Sequence, residues 1–402
     1  MAIYFNAVGK IGRIKETEKF KEVETHIYES GWIKKTLTFN IVSKGNVGRM
    51  RIETGYFGDQ QGEPDFSRMK AYGSDGPISY EKKNTEDAMT AAYNKFTVNI
   101  NEKNIYAASN AIKAFENGNI SVEDADKYNL HTKEDAVALN KELIGNYKKY
   151  IFSYDFFNAM VKIVTSGKFA NKLVRIGGSY EISYSENKHQ FYKAFTPNRF
   201  ELISNDKIDT TEEYFELNFP FIYNNNVMTV NSDGTNTNYE FNGYVGYYDN
   251  AYKMEKKKGH EFCPITFVMH EEKQAKAFEK RILGSLEEAD YYSVMVTCDY
   301  INGAEKKDIT LEDLTAAQRE DINCELVTLD ELKKQLGGKV YGEAINEIRY
   351  KSYNVKNGIS ATSYTDEDME EPKHVIPEET KEVINNMSSD ASDNDDIFDL
   401  DI

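Results

Sequence analysis

Trp32-Ile-Lys-Lys-Thr-Leu-Thr-Phe-Asn-Ile41 alternates between two kinds of side chain. Ile33, Lys35, Leu37, Phe39 and Ile41 make one, mostly apolar face. Trp32, Lys34, Thr36, Thr38 and Asn40 make a polar face that carries the chain's single tryptophan. A period of two is the mark of a strand with one side buried and the other wet. The pattern recurs in the next run, where Met50 and Ile52 point one way and Arg49, Arg51 and Glu53 the other. Ser43-Lys-Gly-Asn46 between them is a turn signal.

Outward from this pair, residues 7–57 read as β, punctuated by Gly9, Gly12, Gly31, Gly45 and Gly55. Residues 58–87 are loop-like, and Phe96–Ile100 is a short strand. Residues 104–116 and 133–148 show a helical period, and 155–165 fits a buried helix that Gly167 ends. A second β region opens at Lys172. Turns at Gly177-Gly178 and at Ser185–Lys188 separate its first three runs, Leu173–Ile176, Tyr180–Tyr184 and Gln190–Phe195; Phe200–Ile203 follows. Strands continue at Tyr214–Tyr223, Tyr239–Tyr248, Glu261–Met269, Tyr291–Tyr300 and Ile345–Tyr353. Helices are expected at 271–286, 311–320 and 329–336. Beyond about residue 357, Ser, Thr, Asp, Glu, Asn and Pro dominate, and such a segment buries too little apolar surface to offset its ordering entropy. It is expected to be disordered.

The chain of 402 residues carries a formal charge of −18. From Asp366 onward there are 14 Asp/Glu and 2 Lys, a net of −12, which leaves −6 for the body. A mildly acidic body can still hold a basic groove, because binding follows the local field. No apolar run reaches the ~18 residues of a membrane helix, and Met1-Ala-Ile-Tyr-Phe-Asn lacks the regions of a signal peptide. Cys263, Cys298 and Cys324 are few, odd in number and far apart, which fits reduced thiols and a cytoplasmic location.

Enzyme signatures are missing from the sequence. It has no phosphate loop, no GxGxxG after a strand, no Gly-x-Ser-x-Gly elbow and no CxxC, and its six histidines never fall at a metal-site spacing. A non-enzyme with neither cofactor nor metal is the expectation.

Four groups of residues could bind a partner. The first is the polar face of the early β region, with Trp32, Lys34, Arg49 and Arg51, and with Lys10, Arg13, Tyr56 and Phe57 near in sequence. Single-strand binders need cations for phosphates and aromatic platforms for bases, each stacked base being worth roughly 1–3 kcal/mol. A solvated strand face with Trp32 tucked under a loop gives the same pattern. The second comprises Tyr184, Lys188, Tyr192, Lys193 and Arg199; alternation sends Phe191 and Phe195 together to the core and Tyr192 the other way. The third is the Lys-rich turn at Lys253–Lys258. The fourth is the end of the chain, where Asp395, Asp396 and Asp399 surround Ile397, Phe398, Leu400 and Ile402. An acidic string with an apolar tip can dock in a partner's pocket, or mimic DNA over its own groove.

Asp395-Asp-Ile-Phe398 resembles the acidic tip of bacterial and phage single-stranded DNA-binding proteins. It departs from the bacterial pattern by running on through Asp-Leu-Asp-Ile and by having no proline before the phenylalanine. The bias toward Lys, Asn, Tyr and Ile is similar to that of proteins from large phages of low-GC bacteria. The resemblance implies a mainly β fold with inserted helices: tandem OB-fold-like barrels followed by a disordered acidic C-terminal tail. A first domain would span 1–150, with a helical insertion, a second 151–356, and the tail 357–402. Residues from about 239 either complete the second barrel or form a third unit. It implies a protein that coats single-stranded DNA during replication, recombination and repair, its tail recruiting replication or recombination proteins and competing with DNA for the groove. An all-β virion structural or assembly protein is the alternative, and a nuclease with an unfamiliar metal site a third reading.

Overall fold

The computed structural model describes residues 3–17, 21–185, 188–232, 237–248, 260–284, 289–311, 314–324, 326–335, 339–356 and 358–370. Strand makes up 44% and helix 28%, so the chain is mainly β. The strands β1 (Tyr4–Gly12), β2 (Val23–Ile27), β3 (Trp32–Ser43) and β4 (Asn46–Phe57) come first. An insertion follows, with the hairpin β5 (Lys70–Gly73) and β6 (Gly76–Ser79), α1 (Glu86–Ala91) and β7 (Phe96–Asn99). It continues through α2 (Ile105–Glu116), α3 (Val122–Tyr128), α4 (Lys133–Asn146) and β8 (Tyr147–Tyr150). Then come α5 (Ser153–Thr165), β9 (Leu173–Ser185) and β10 (Gln190–Leu202).

Five of these strands pair in a closed circuit. β1 pairs β3, β3 pairs β4, and β4 meets β10 in parallel at Met50 and Phe195; β10 pairs β9, which returns to β1. The circuit therefore runs past residue 150, and the boundary expected there falls inside it. The helices, expected as an insertion in the first domain, are inserted between two strands of this circuit. Their own small core, built on Ala108, Ile112, Leu139 and Leu143, lies between β7 and β8, which pair with each other. The stretch 58–87, expected to be loop, holds the β5–β6 hairpin and packs Met69 against Ile33 and Tyr56.

Gly177-Gly178 is not a turn. β9 runs straight through the pair, because β10 passes close by: a Cβ on Gly178 would lie 2.0 Å from the Thr196 carbonyl oxygen. β10 likewise runs on past Phe195, with a register shift between Pro197 and Arg199.

The second part holds β11 (Tyr214–Tyr223), β12 (Met228–Ser232), β13 (Thr237–Tyr248), β14 (His260–Met269) and α6 (Glu272–Leu283). It ends with β15 (Tyr292–Asp308), α7 (Ala316–Asn323), α8 (Leu329–Gln335), β16 (Lys339–Tyr353) and β17 (Ile359–Ala361). A second circuit repeats the first: β11–β13–β14–β16–β15 and back to β11, with β14 and β16 parallel at Val268 and Arg349. Residues 239–353 thus belong to this circuit. The two circuits join where β1 pairs β11 from Tyr4–Asn218 to Val8–Tyr214, and where Gly303 of β15 meets Asn46 of β4.

One aromatic core crosses the junction. Phe195 lies 5.2 Å from Phe5, 4.8 Å from Phe215 and 4.9 Å from Tyr300, ring centre to ring centre. Such tilted and edge-on pairs add roughly 0.5–1.5 kcal/mol each beyond their burial. Gly48 is required here: a Cβ would sit 2.0 Å from the ring of Phe215. Residues 359–370 fold back over the second circuit, where β17 pairs β15, Tyr364 packs edge-on against Phe262 at 4.7 Å, and Tyr291 donates a 2.9 Å hydrogen bond to Asp366. Among the described residues, no helix is long and apolar enough to cross a membrane.

Candidate nucleic-acid interface

The antiparallel register of β3 and β4 fixes which side chains share a face. Trp32 stands opposite Phe57, Lys34 opposite Gly55, Thr36 opposite Glu53, Thr38 opposite Arg51 and Asn40 opposite Arg49. Cross-strand partners project to the same side, so the two faces read from the sequence become one surface; Thr36 and Thr38 in its middle are buried, so the wet face expected along 32–40 is broken there. β1 extends it, because Lys10 stands opposite Val42. β2 continues it along the same edge of β3, with His26 opposite Lys34 and Glu24 opposite Thr36. From the Val42–Val47 pair to the Trp32–Phe57 pair the face runs ten residues, about 33 Å at ~3.3 Å per residue.

The surface has three zones. Lys10, Arg49 and Arg51 lie toward one end. Arg49 is half-buried, and desolvation alone pushes its guanidinium pKa down. A band of carboxylate follows: Glu53 holds Arg51 at 2.6 Å and Lys34 at 3.0 Å, and Glu24 flanks it. Nε of Arg51 is enclosed with no hydrogen-bond acceptor. At the other end, Trp32 is 37% exposed and meets Phe57 edge-on at 5.1 Å. The indole lies over Gly55, where a Cβ would come within 2.1 Å of it. The guanidinium of Arg68 stacks on the open side of Phe57, 3.4 Å from the ring centre. Counting Arg68, the face carries the cations Lys10, Lys34, Arg49, Arg51 and Arg68 and the carboxylates Glu24 and Glu53, with the buried Glu22, paired to Arg13, opposite Thr38.

Several expected residues lie elsewhere. Tyr56 is 2% exposed and its hydroxyl donates to the Gly62 carbonyl at 3.1 Å. Its parity is that of Met50 and Ile52, so it faces the core and cannot stack on a base. Arg13 is bound to the buried Glu22 at 2.7 Å, and that partner's hydrogen bond and charge raise its pKa. The β9–β10 hairpin, with Tyr184, Lys188, Tyr192 and Lys193, reaches the junction between circuits. There Tyr184 packs on Phe191 at 4.9 Å, and Phe191 lies 6.1 Å from Tyr247. Arg199 sits on the β7 side of β10, its guanidinium over Gly177. The Lys253–Lys258 turn and the tip residues Asp395, Asp396, Ile397, Phe398, Asp399 and Leu400 lie outside the described residues.

Arg68, His26 and Glu24 were not anticipated. Period-two alternation in Val23–Ile27 is too short to read, and nothing local in 58–69 ties Arg68 to Phe57. Among the described residues, the same side of the second circuit offers no comparable surface. Arg349 is held by Glu347 at 2.6 Å and Lys351 by Glu216 and Asp299, while Tyr364 and Met369 cover Phe262 and Tyr244. No group of three or more His, Cys, Asp or Glu that could hold a metal occurs among the described residues. No protein-family model matches this chain, and no curated protein matches it in sequence.

Proposed function

We propose that the chain is a non-enzymatic, cytoplasmic single-stranded DNA-binding protein of replication and recombination, built on two OB-fold barrels with an acidic tail. The observation that carries this is the register of β3 and β4, which gathers Trp32, Phe57, Lys34, Arg49 and Arg51 on one open strand face. Both strand circuits support the barrel reading. Numbered within each circuit, the order is 1-2-3-5-4 and back to 1, strands 3 and 5 run parallel, and a helix (α5 or α6) connects 3 to 4. That order supports a five-stranded Greek-key barrel of the OB-fold kind, in which the strand 2–3 face holds oligonucleotides. In the first circuit, strands 2 and 3 are β3 and β4.

On this reading the cationic zone tracks the phosphates, and Trp32, with Phe57 and Arg68 behind it, supplies a stacking platform. The tail leaves from Glu370, beside the second circuit rather than the first. Its acidic residues are free to recruit replication partners or to lie over the cations of β3–β4.

The test is titration of a fluorescent dT oligomer of about 30 nucleotides, long enough for several OB-fold sites. It compares the full chain with a chain ending at Glu370, which keeps Tyr364 and Met369 in place, at low and high salt and with duplex as competitor. Salt-sensitive, single-strand-selective binding that tightens without the tail is expected. Binding by neither form would overturn the reading and favour a virion component.

A further inference from the structure

A cavity of about 430 Å³ opens where the helical insertion meets the first circuit, lined from β9, β10 and β7 on one side and the start of α2 on the other. Its size is within the roughly 300–1,000 Å³ of small-molecule sites. Four cations line it, Lys103, Arg175, Arg199 and Lys207, against one carboxylate, Glu201. Strand geometry sets the two arginines together. Arg175 pairs in register with Glu201, and Gly177 with Arg199, so Arg175, Glu201 and Arg199 project to one side. Glu201 holds Arg175 at 2.8 Å, which fixes its guanidinium. The absence of a side chain at Gly177 lets Arg199 lie against the sheet, since a Cβ there would come 2.8 Å from its Nη2. Neither Arg199 nor Lys207 has a carboxylate partner among the described residues.

The remaining walls are not those of a bare anion site. Tyr106, 80% exposed on the first turn of α2, and Tyr147 each present a ring at the rim. The floor is polar and rigid: Asn101, 2% exposed, donates from its amide to Asn99 Oδ1 at 2.8 Å and to the Leu143 carbonyl at 3.1 Å. Paired arginines match the fork geometry of a phosphate, and aromatic rings match a base.

The geometry points to a binding site for a single nucleoside 5′-phosphate, gripped at the phosphate by Arg175 and Arg199 and at the base by Tyr106 and Tyr147. This site is separate from the β3–β4 face, and its readout does not depend on strand coating. Two sources share that chemistry, a free mononucleotide and the phosphorylated 5′ end of a strand.

Calorimetric titration of the full chain with dTMP, thymidine and inorganic phosphate tests it. One dTMP site is expected, binding tighter than either thymidine or phosphate. Arg199→Glu, on an exposed residue, should weaken dTMP on the order of tenfold or more, the scale of one lost charge-assisted hydrogen bond. Tyr106→Ala should weaken dTMP without changing phosphate. Circular dichroism checks that each variant folds, and Lys207→Glu gives a second, more peripheral charge reversal. A short dT oligomer with and without a 5′-phosphate separates the sources: a preference for the phosphate that Arg199→Glu removes assigns the strand end, and none assigns the free nucleotide. No dTMP binding at millimolar concentration, or binding indifferent to both charge reversals, would overturn the assignment.

Discussion

Glu53→Gln should make the chain bind single strands more tightly, and the size of the effect follows from the ion pairs it breaks. The Glu53 carboxylate lies 2.6 Å from Arg51 and 3.0 Å from Lys34, in the middle of the β3–β4 face. Both partners are more than a third exposed, so the pairs themselves contribute only about 0–1 kcal/mol to folding. Glutamine keeps the shape and removes the charge. A phosphate about 4 Å from that position then loses a repulsion of roughly 1 kcal/mol in a water-like dielectric, which is about fivefold in affinity. The released cations can also meet phosphates of their own. Each new contact steepens the salt dependence of single-strand binding by ~0.7 in log–log slope, so the slope should steepen by about 0.7 for one cation and ~1.4 for both. Fluorescence anisotropy with the dT oligomer from 50 to 300 mM salt measures both quantities. An unchanged slope with unchanged affinity would refute the placement of strand on this face, because Glu53 pairs with both Arg51 and Lys34 in its middle.

The other predictions concern the rest of the molecule. Trp32→Ala should weaken oligomer binding by roughly 1–3 kcal/mol, the worth of one stacked base, with little change in salt slope. Tyr56→Phe should leave oligomer binding unchanged while costing about 0.5–1.5 kcal/mol in urea unfolding through the lost bond to Gly62; a binding defect would contradict the buried position of Tyr56. Gly48→Val should destabilise by at least ~1–3 kcal/mol, since its side chain would enter the ring of Phe215 at the junction. In the native state a thiol reagent should modify Cys324 quickly and Cys263 and Cys298 slowly, because burial both shields those two and raises their thiol pKa values; three equal rates would contradict this packing.

Much of the site was legible in the sequence because a strand's period is rigid. Once 32–41 and 49–53 are read as strands, the two wet faces follow, and a turn at 43–46 brings them together. The same rule applied one step further would have removed Tyr56, whose even number on β4 groups it with Met50 and Ile52. What the sequence could not show is long-range pairing. Gly177-Gly178 has the look of a turn, and only the approach of Thr196 explains glycine inside a strand there. The helices of 105–146 read as an insertion, but nothing in the sequence shows that β9 and β10 complete the first circuit beyond them. Arg13 reads as a groove cation until Glu22 is found buried against it. Charge alone cannot separate a cation waiting for phosphate from one already matched, and that distinction is what removes Arg13.

The two circuits share one strand order but differ in what their outward faces can accept, and the difference lies in a few residues. On the first, Arg51 and Lys34 compete for a single carboxylate, Glu53, and Trp32 stays open. On the second, Arg349 and Lys351 are matched by Glu347, Glu216 and Asp299, and residues 359–370 close the aromatic patch with Tyr364, Met369 and the Tyr291–Asp366 bond. That bond has a testable pH dependence. Burial first, then the neighbouring Asp366, pushes the Tyr291 hydroxyl up to about 12 from its ordinary 10. A raised folded-state pKa means that its contribution is complete below pH ~10 and is lost as pH rises through about 12. Urea unfolding at pH 8.5 and 11 should therefore show a larger loss for the native chain than for Tyr291→Phe, which has no proton to lose at that position. Equal losses would mean that the Tyr291–Asp366 bond does not hold the segment down. If the losses differ as expected, the Tyr291–Asp366 bond holds residues 359–370 on the second circuit.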